Sequence, residues 1–155
     1  ANCTVVISDD EIGAPTALHP TAVIAMNLPS LDKYEPMIKP GGYLIVNEDM
    51  VNRPAVRDDI HVLMVPANKI AQEIGNERAA NMVLLGALEG NMHLLKEGAL
   101  ERALEDHTAA RLKKFIAMNI EALHRGAEYL AAQLFIVLSK RRSTCLSVFF
   151  LPTVF

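Results

Sequence analysis

Residues 21–47 read Thr21-Ala22-Val23-Ile24-Ala25-Met26-Asn27-Leu28-Pro29-Ser30-Leu31-Asp32-Lys33-Tyr34-Glu35-Pro36-Met37-Ile38-Lys39-Pro40-Gly41-Gly42-Tyr43-Leu44-Ile45-Val46-Asn47. Two short apolar runs, Thr21–Met26 and Tyr43–Asn47, bracket a stretch with helix signals. Neither run alternates polar with apolar residues, the pattern of a strand covered on both faces. Between them Ser30 is a candidate N-cap, Asp32 puts negative charge in the first turn, and a helix should reach Lys39. Pro36 lies inside it and should kink or split it. Pro40-Gly41-Gly42 then turns the chain into the second run. Strand, short helix and strand predict a βαβ unit, and hence an α/β fold with a mainly parallel, Rossmann-like sheet and short crossover helices.

Working outward, Cys3–Ser8 is a β-branched run ended by Asp9-Asp10-Glu11 and Gly13-Ala14-Pro15, and Ile60–Val65 is another before Pro66, so four strands are expected. From Ala67 onward strand signals give way to helices, making the C-terminal half helical. Ala67–Ile74 is stopped by Gly75, Glu77–Leu88 follows, and Leu95–Glu105 is weakened by Gly98. A long amphipathic helix spans Thr108–Leu134, with Leu112, Ile116, Ile120, Leu123, Ala127 and Leu130 at three- and four-residue spacing. The expected organisation is one α/β domain over 1–134 and an apolar tail of unknown role over 135–155. Neither of the two apolar runs beyond Leu134, split by Ser139-Lys140-Arg141-Arg142-Ser143, reaches the ~20 residues that span a bilayer.

At 155 residues the chain suits one domain with a real core. A net charge of -3 with scattered basic residues excludes the footprint of a nucleic-acid binder. The tight cluster Lys140-Arg141-Arg142 reads as a solvated turn. Cys3 and Cys145 form no Cys-x-x-Cys pair and no Cys/His grouping, so a self-contained iron-sulfur cluster is not expected. The N-terminus opens on the Cys3–Ser8 run rather than on a signal peptide, and the expectation is a cytoplasmic protein with free thiols and no membrane association.

Gly41-Gly42 precedes a strand, whereas a phosphate loop needs glycines after a strand and opening a helix, so the pair reads as a turn. No Gly-x-Gly-x-x-Gly and no Gly-Lys-Ser/Thr follows any strand. His19, His61, His93, His107 and His124 lack the spacing of a zinc site. Asp9, Asp10 and Glu11 read as a solvated turn, and no Ser, Thr or Cys has the context of an activated nucleophile, so no catalytic residue is assigned. The asparagines stand out. Ligands of open parallel sheets bind beyond the carboxyl ends of the strands, where Asn27, Asn47 and Asn68 fall. Asn81 begins a helix against an apolar run, where burying its amide without partners would cost about 1–3 kcal/mol. Asn27 and Asn81 stand open between capping and holding a ligand or partner; Asn47 and Asn68 read as caps.

Several blocks in order resemble the gamma subunit of the 2-oxoacid:ferredoxin (acceptor) oxidoreductases. They are Val6-Ile7-Ser8-Asp9-Asp10-Glu11-Ile12, Ala25-Met26-Asn27-Leu28-Pro29-Ser30-Leu31, the Pro40-Gly41-Gly42 turn and its strand, Val65-Pro66-Ala67 leading to Ile70-Ala71-Gln72-Glu73-Ile74-Gly75-Asn76, and Ala80-Asn81-Met82-Val83-Leu84-Leu85-Gly86-Ala87. Similarity continues through Asn119-Ile120-Glu121-Ala122-Leu123-His124-Arg125-Gly126, and covers roughly residues 1 to 132. The resemblance implies a non-catalytic gamma subunit, inactive alone, of a complex that decarboxylates a 2-oxo acid on thiamine diphosphate. That complex passes electrons through iron-sulfur clusters to ferredoxin and gives the acyl group to coenzyme A. It implies alpha, beta and delta-type subunits as partners, ferredoxin indirectly, and Asn27 and Asn81 as coenzyme or subunit contacts, with no metal site on this chain. The family's Gly-x-Gly-Gly-Gln-Gly turn and Gly-Pro-Glu-x-Arg-Gly-Gly block are absent, so the chain resembles an N-terminally truncated member. The alternative is a Rossmann-like small-molecule-binding or scaffold module without oxidoreductase partners.

Overall fold

The computed structural model describes the backbone of residues 2–14 and 17–142, and the side chains of these up to residue 129. Among the described residues, three parallel strands form one sheet in the order β1 (Ala22–Ala25), β2 (Tyr43–Asn47), β3 (His61–Val65). Ala22 stands beside Tyr43 and Tyr43 beside His61, so the strand ends are nearly level and all three carboxyl ends share one edge. The expected α/β class and parallel sheet are what the chain adopts.

The central strand shows why its middle, Leu44–Val46, is apolar at every position. Ile45 packs on one face with Val65, Ala67, Ile70, Val83, Leu84 and Ala122, whereas Leu44 and Val46 pack on the other with Ala25, Leu31, Ile38, Val51 and Ile60. Successive residues of a strand point to opposite faces, so the middle of a strand covered on both sides is apolar on each.

Helix α1 (Leu28–Tyr34) begins earlier than expected, because Asn27 rather than Ser30 is its N-cap: the Asn27 Oδ1 accepts the Ser30 N–H at 3.0 Å. Pro29 is tolerated at the second helical position, where a missing N–H costs nothing. Near Pro36 the helix passes into a 3-10 turn, Glu35–Met37, as the missing proline N–H demands. Gly41, at φ 73°, makes the turn into β2.

From β3 the chain enters α2 (Ala67–Glu73), a 3-10 turn at Glu77–Ala79, α3 (Ala80–Met92), α4 (Ala99–His107), a 3-10 segment Ala110–Phe115 and α5 (Ile116–Arg142). Gly75, at φ 84°, ends the α2 turn as expected. The long helix starts at Ile116, not Thr108; Leu112, expected on its buried face, lies in the 3-10 segment and is 44% exposed. α3 and α5 pack with their backbones in near contact. A Cβ on Gly86 would run into Leu123, one on Gly90 into Ala127, and one on Gly126 into Val83.

One expected strand is absent. Cys3–Ser8 has no strand pairing, and Val5 and Ile7 are each 74% exposed. A β-branched run becomes a strand only when a neighbour takes up its backbone groups, and Cys3–Ser8 pairs with neither the outer edge of β1 nor that of β3. The expected boundary at 134–135 falls inside α5, whose backbone runs to Arg142, and residues 143–155 lie outside the described residues. Among the described residues no helix is long and apolar enough to cross a membrane.

Candidate functional site

The level carboxyl ends of the strands bring asparagines to one edge, but not in the roles expected of them. Asn47, the last residue of β2, is buried with 1% exposure. Its Nδ2 donates to the Met26 carbonyl at 3.4 Å and to Asn68 Oδ1 at 2.9 Å, tying the ends of β1 and β2 to the first turn of α2. The Met26 oxygen can only accept, so the Asn47 amide must present its nitrogen there, and its Oδ1 faces the other way. That oxygen is buried with no hydrogen-bond partner. An unpaired buried acceptor of this kind costs about 1–3 kcal/mol. Asn47 and Asn68 are therefore not the caps expected: Asn47 makes no side-chain cap bond, and the N-cap of α2 is Pro66.

Beside this pair, the Asp49 carboxylate accepts the Lys69 N–H at 3.0 Å, a second clasp between the end of β2 and the start of α2. Asn27 is exposed and committed to capping α1. Asn81 is exposed in the first turn of α3, whose buried side is taken by Ala80, Val83, Leu84 and Ala87. Its amide thus carries no burial cost, and it makes no hydrogen bond to the Asn47–Asn68 pair. A further amide pair, Asn76 Nδ2 to Asn119 Oδ1 at 3.4 Å, joins the turn before α3 to α5.

A buried carboxylate on the opposite side of the sheet gave no clear signal in the sequence. Glu35 is 3% exposed; its Oε1 accepts the N–H groups of Val56 and Arg57, and its Oε2 takes the Arg53 guanidinium at 3.2 Å. Arg57 donates in turn to the carbonyls of Ile38 and Glu35. The Arg57 guanidinium also holds the Asp59 carboxyl below the usual carboxylate range, chiefly by their hydrogen bond. Every partner of Glu35 is within the fold, so this cluster fixes the irregular return from β2 to β3 rather than awaiting a ligand. The Arg53 spacing from Glu35 offers no periodic cue, because the contact is made across a loop.

Between α3, α4 and α5 lies an open cleft of about 400 Å³, with Gly86, Gly90, Leu123 and Ala127 on its apolar side and the Glu101–His124 pair at its rim. Glu101 Oε1 and His124 Nε2 are 2.8 Å apart, and the imidazole hydrogen bond holds the Glu101 carboxyl below its ordinary range. Among the described residues no three His, Cys, Asp or Glu side chains are grouped where they could hold a metal.

Residues 1–129 match the family of pyruvate ferredoxin/flavodoxin oxidoreductases. The chain is 34% identical over 126 residues to the 2-oxoglutarate synthase subunit KorC of Methanocaldococcus jannaschii, covering 80% of this chain and 66% of KorC. It is 33% identical over 130 residues to the ketoisovalerate oxidoreductase subunit VorA of Methanothermobacter thermautotrophicus, covering 83% of this chain and 27% of VorA. The chain thus spans about a quarter of that VorA and about two thirds of that KorC. Its fold is similar to the crystal structure of the keto/oxoacid ferredoxin oxidoreductase gamma subunit from Geobacter sulfurreducens, with a TM-score of 0.63 and 27% identity over 72% of this chain and 64% of that one. On the strength of the match over residues 1–129, the chain belongs to the pyruvate ferredoxin/flavodoxin oxidoreductase family.

Proposed function

We propose that the chain is the gamma component of a thiamine-diphosphate-dependent 2-oxoacid:ferredoxin oxidoreductase that acylates coenzyme A, and that it is inactive by itself. The observation that carries this reading is the similarity to KorC over 126 residues, 80% of this chain. Because KorC and VorA are named for different 2-oxo acids, the proposed substrate is a 2-oxo acid as a class.

The described side chains do not fit two of the implied groups. Thiamine diphosphate is held through a divalent cation on its diphosphate, and the described residues gather no carboxylate or imidazole set for one. An iron-sulfur cluster takes four ligands, usually thiolates, and Cys3 is the one cysteine among the described residues. The reading therefore assigns both groups to partner chains, of alpha, beta and delta type, in a cytoplasmic hetero-oligomer that delivers electrons to ferredoxin. Exposed Asn27 and Asn81 are proposed as hydrogen-bonding contacts to coenzyme A or to a partner subunit; both present an amide at the surface.

Tagged chain should co-purify with larger thiamine-binding and cluster-bearing chains. With a 2-oxo acid, thiamine diphosphate, coenzyme A and a viologen dye, the assembled complex should turn over and the isolated chain should not. Turnover by the isolated chain, or its recovery as a lone monomer from the native source, would overturn the subunit reading in favour of a stand-alone enzyme or scaffold. Asn81→Leu should weaken assembly or coenzyme A-dependent turnover with the fold intact; unchanged assembly and turnover would remove Asn81 from the interface.

A further inference from the structure

Helix α4 differs from its neighbours in how it is held. The helices α1, α2 and α3 each bury at least one side chain, as α5 does with Ala122 and Leu123, but none of Ala99–His107 is buried. Its apolar residues Leu100 and Leu104 reach only half-burial. The main element it rests on is α5.

Both ends of α4 are marked by a break from helical backbone geometry. At its start Gly98 takes φ 72° and makes no side-chain cap bond. At its end Thr108 and Ala109 are extended, with ψ 125° and 142°, before the next 3-10 segment. The chain just upstream is anchored: the Glu89 carboxylate accepts the N–H groups of Leu95 at 2.9 Å and Leu94 at 3.3 Å. Beyond that anchor the step into α4 is bridged by one backbone bond, Ala99 N–H to the Lys96 carbonyl at 3.0 Å. Within α4, Arg102 bonds the nearby Glu97 carbonyl, so the hydrogen bond that ties the helix to another element is Glu101 to His124. Under α4 lies the cleft of about 400 Å³ beside Gly86, Gly90, Leu123 and Ala127, the small-residue seam where α3 meets α5.

We propose that α4 is a hinged flap, pivoting at Lys96–Gly98 and Thr108–Ala109, that closes over the α3–α5 cleft and is latched by the Glu101–His124 hydrogen bond. Hinges are a few element-terminal residues that absorb a backbone change, and elements with few buried apolar contacts open at the lowest free energy. A half-exposed side-chain hydrogen bond is a weak tie. Swinging α4 outward leaves both layers of core around β2 untouched, since α4 contributes to neither. It widens the slot floored by Gly86, Gly90, Leu123 and Ala127, with Glu89, His93 and His124 along its edge. The flap stands independently of the oxidoreductase assignment.

Amide hydrogen exchange on the full chain tests this without a ligand. Amides of 99–107 should exchange about tenfold or more faster than those of α3. Glu101→Gln and His124→Gln should each speed α4 exchange about two- to fivefold and leave α3 unchanged. The double variant should be no faster than either single one, because both remove the same latch. Exchange of α4 in step with α3 in the unaltered chain would overturn the flap. Unchanged α4 exchange in both single variants, or effects that add in the double variant, would overturn the latch.

Discussion

Replacing Gly126 by alanine should destabilise the fold, although alanine is the better helix former. A Cβ at residue 126 would run into the Val83 carbonyl oxygen and stand 2.8 Å from its carbon and 3.0 Å from the Ala87 nitrogen. Carbon contacts settle at about 3.5–4.0 Å, so α5 must retreat from α3 by roughly 1 Å. The obstruction is the backbone of a helix and cannot rotate aside. Retreat loosens Val83, Ala87, Ala122 and Leu123, none more than 3% exposed. Overpacking of this kind costs about 1–3 kcal/mol, and the gain in helix propensity returns about 1 kcal/mol. A rigid obstruction puts the cost near the upper end, for a net loss of about 1–2 kcal/mol and a fall in Tm of roughly 3–8 °C. Thermal and urea unfolding followed by far-ultraviolet circular dichroism measures it. Gly13→Ala is the control, because nothing lies within 4 Å of its added Cβ. The close helix approach would be refuted by a Gly126→Ala chain as stable as the original or more so, which is how a solvent-facing helical glycine behaves.

Three further outcomes follow from the polar contacts. Glu35→Ala strands the N–H groups of Val56 and Arg57 and should cost about 2–3 kcal/mol in urea unfolding, with amide exchange rising first over 51–59. An unaltered 51–59 would refute the clamp. In Asn47→Asp a carboxylate would oppose the Met26 carbonyl and Asn68 Oδ1, so folding should raise that carboxyl's pKa. Its stability should be greatest below the ordinary aspartate range and fall as pH rises through the folded value, a loss of about 2 kcal/mol or more by neutrality. A flat difference from the unaltered chain between acid and neutral pH would be incompatible with the amide orientation. Glu101 is the reverse case: its lowered carboxyl pKa contributes stability above the ordinary glutamate value, and that contribution disappears as pH falls through the folded one. The gap between the unaltered chain and Glu101→Gln should thus close as pH falls below the ordinary glutamate range and through the lower folded value. At neutrality it should be less than about 1 kcal/mol, because the two side chains are 30% and 55% exposed.

Local chemistry made much of this architecture legible. Tyr43–Asn47 is a strand because every one of its residues is partly or fully covered, and Pro36 and Gly75 act where their own backbone limits apply. What depends on distant neighbours did not show. Cys3–Ser8 has the composition of a strand, but pairing is a property of two segments, and no run of β-branched residues announces that its partner is missing. Glu35 owes its burial to Arg53 and Arg57, brought over it by a loop without periodicity.

The asparagines make the same point at the candidate site. Asn27 and Asn47 each stand where a strand ends, and Asn68 opens the helix after the third, so composition treats them as equals. The sheet order separates them. β2 lies between β1 and β3, so the end of β2 is flanked by Met26 on one side and the start of α2 on the other, and Asn47 is enclosed. The ends of β1 and β3 each have an open side, which leaves Asn27 and Asn68 exposed. Burial of one amide among three is thus a consequence of strand order. The same placement leaves the Asn47 Oδ1, its one acceptor atom, buried out of reach of water and without a donor, the cost the fold bears for fastening β1, β2 and α2 through the Asn47 nitrogen.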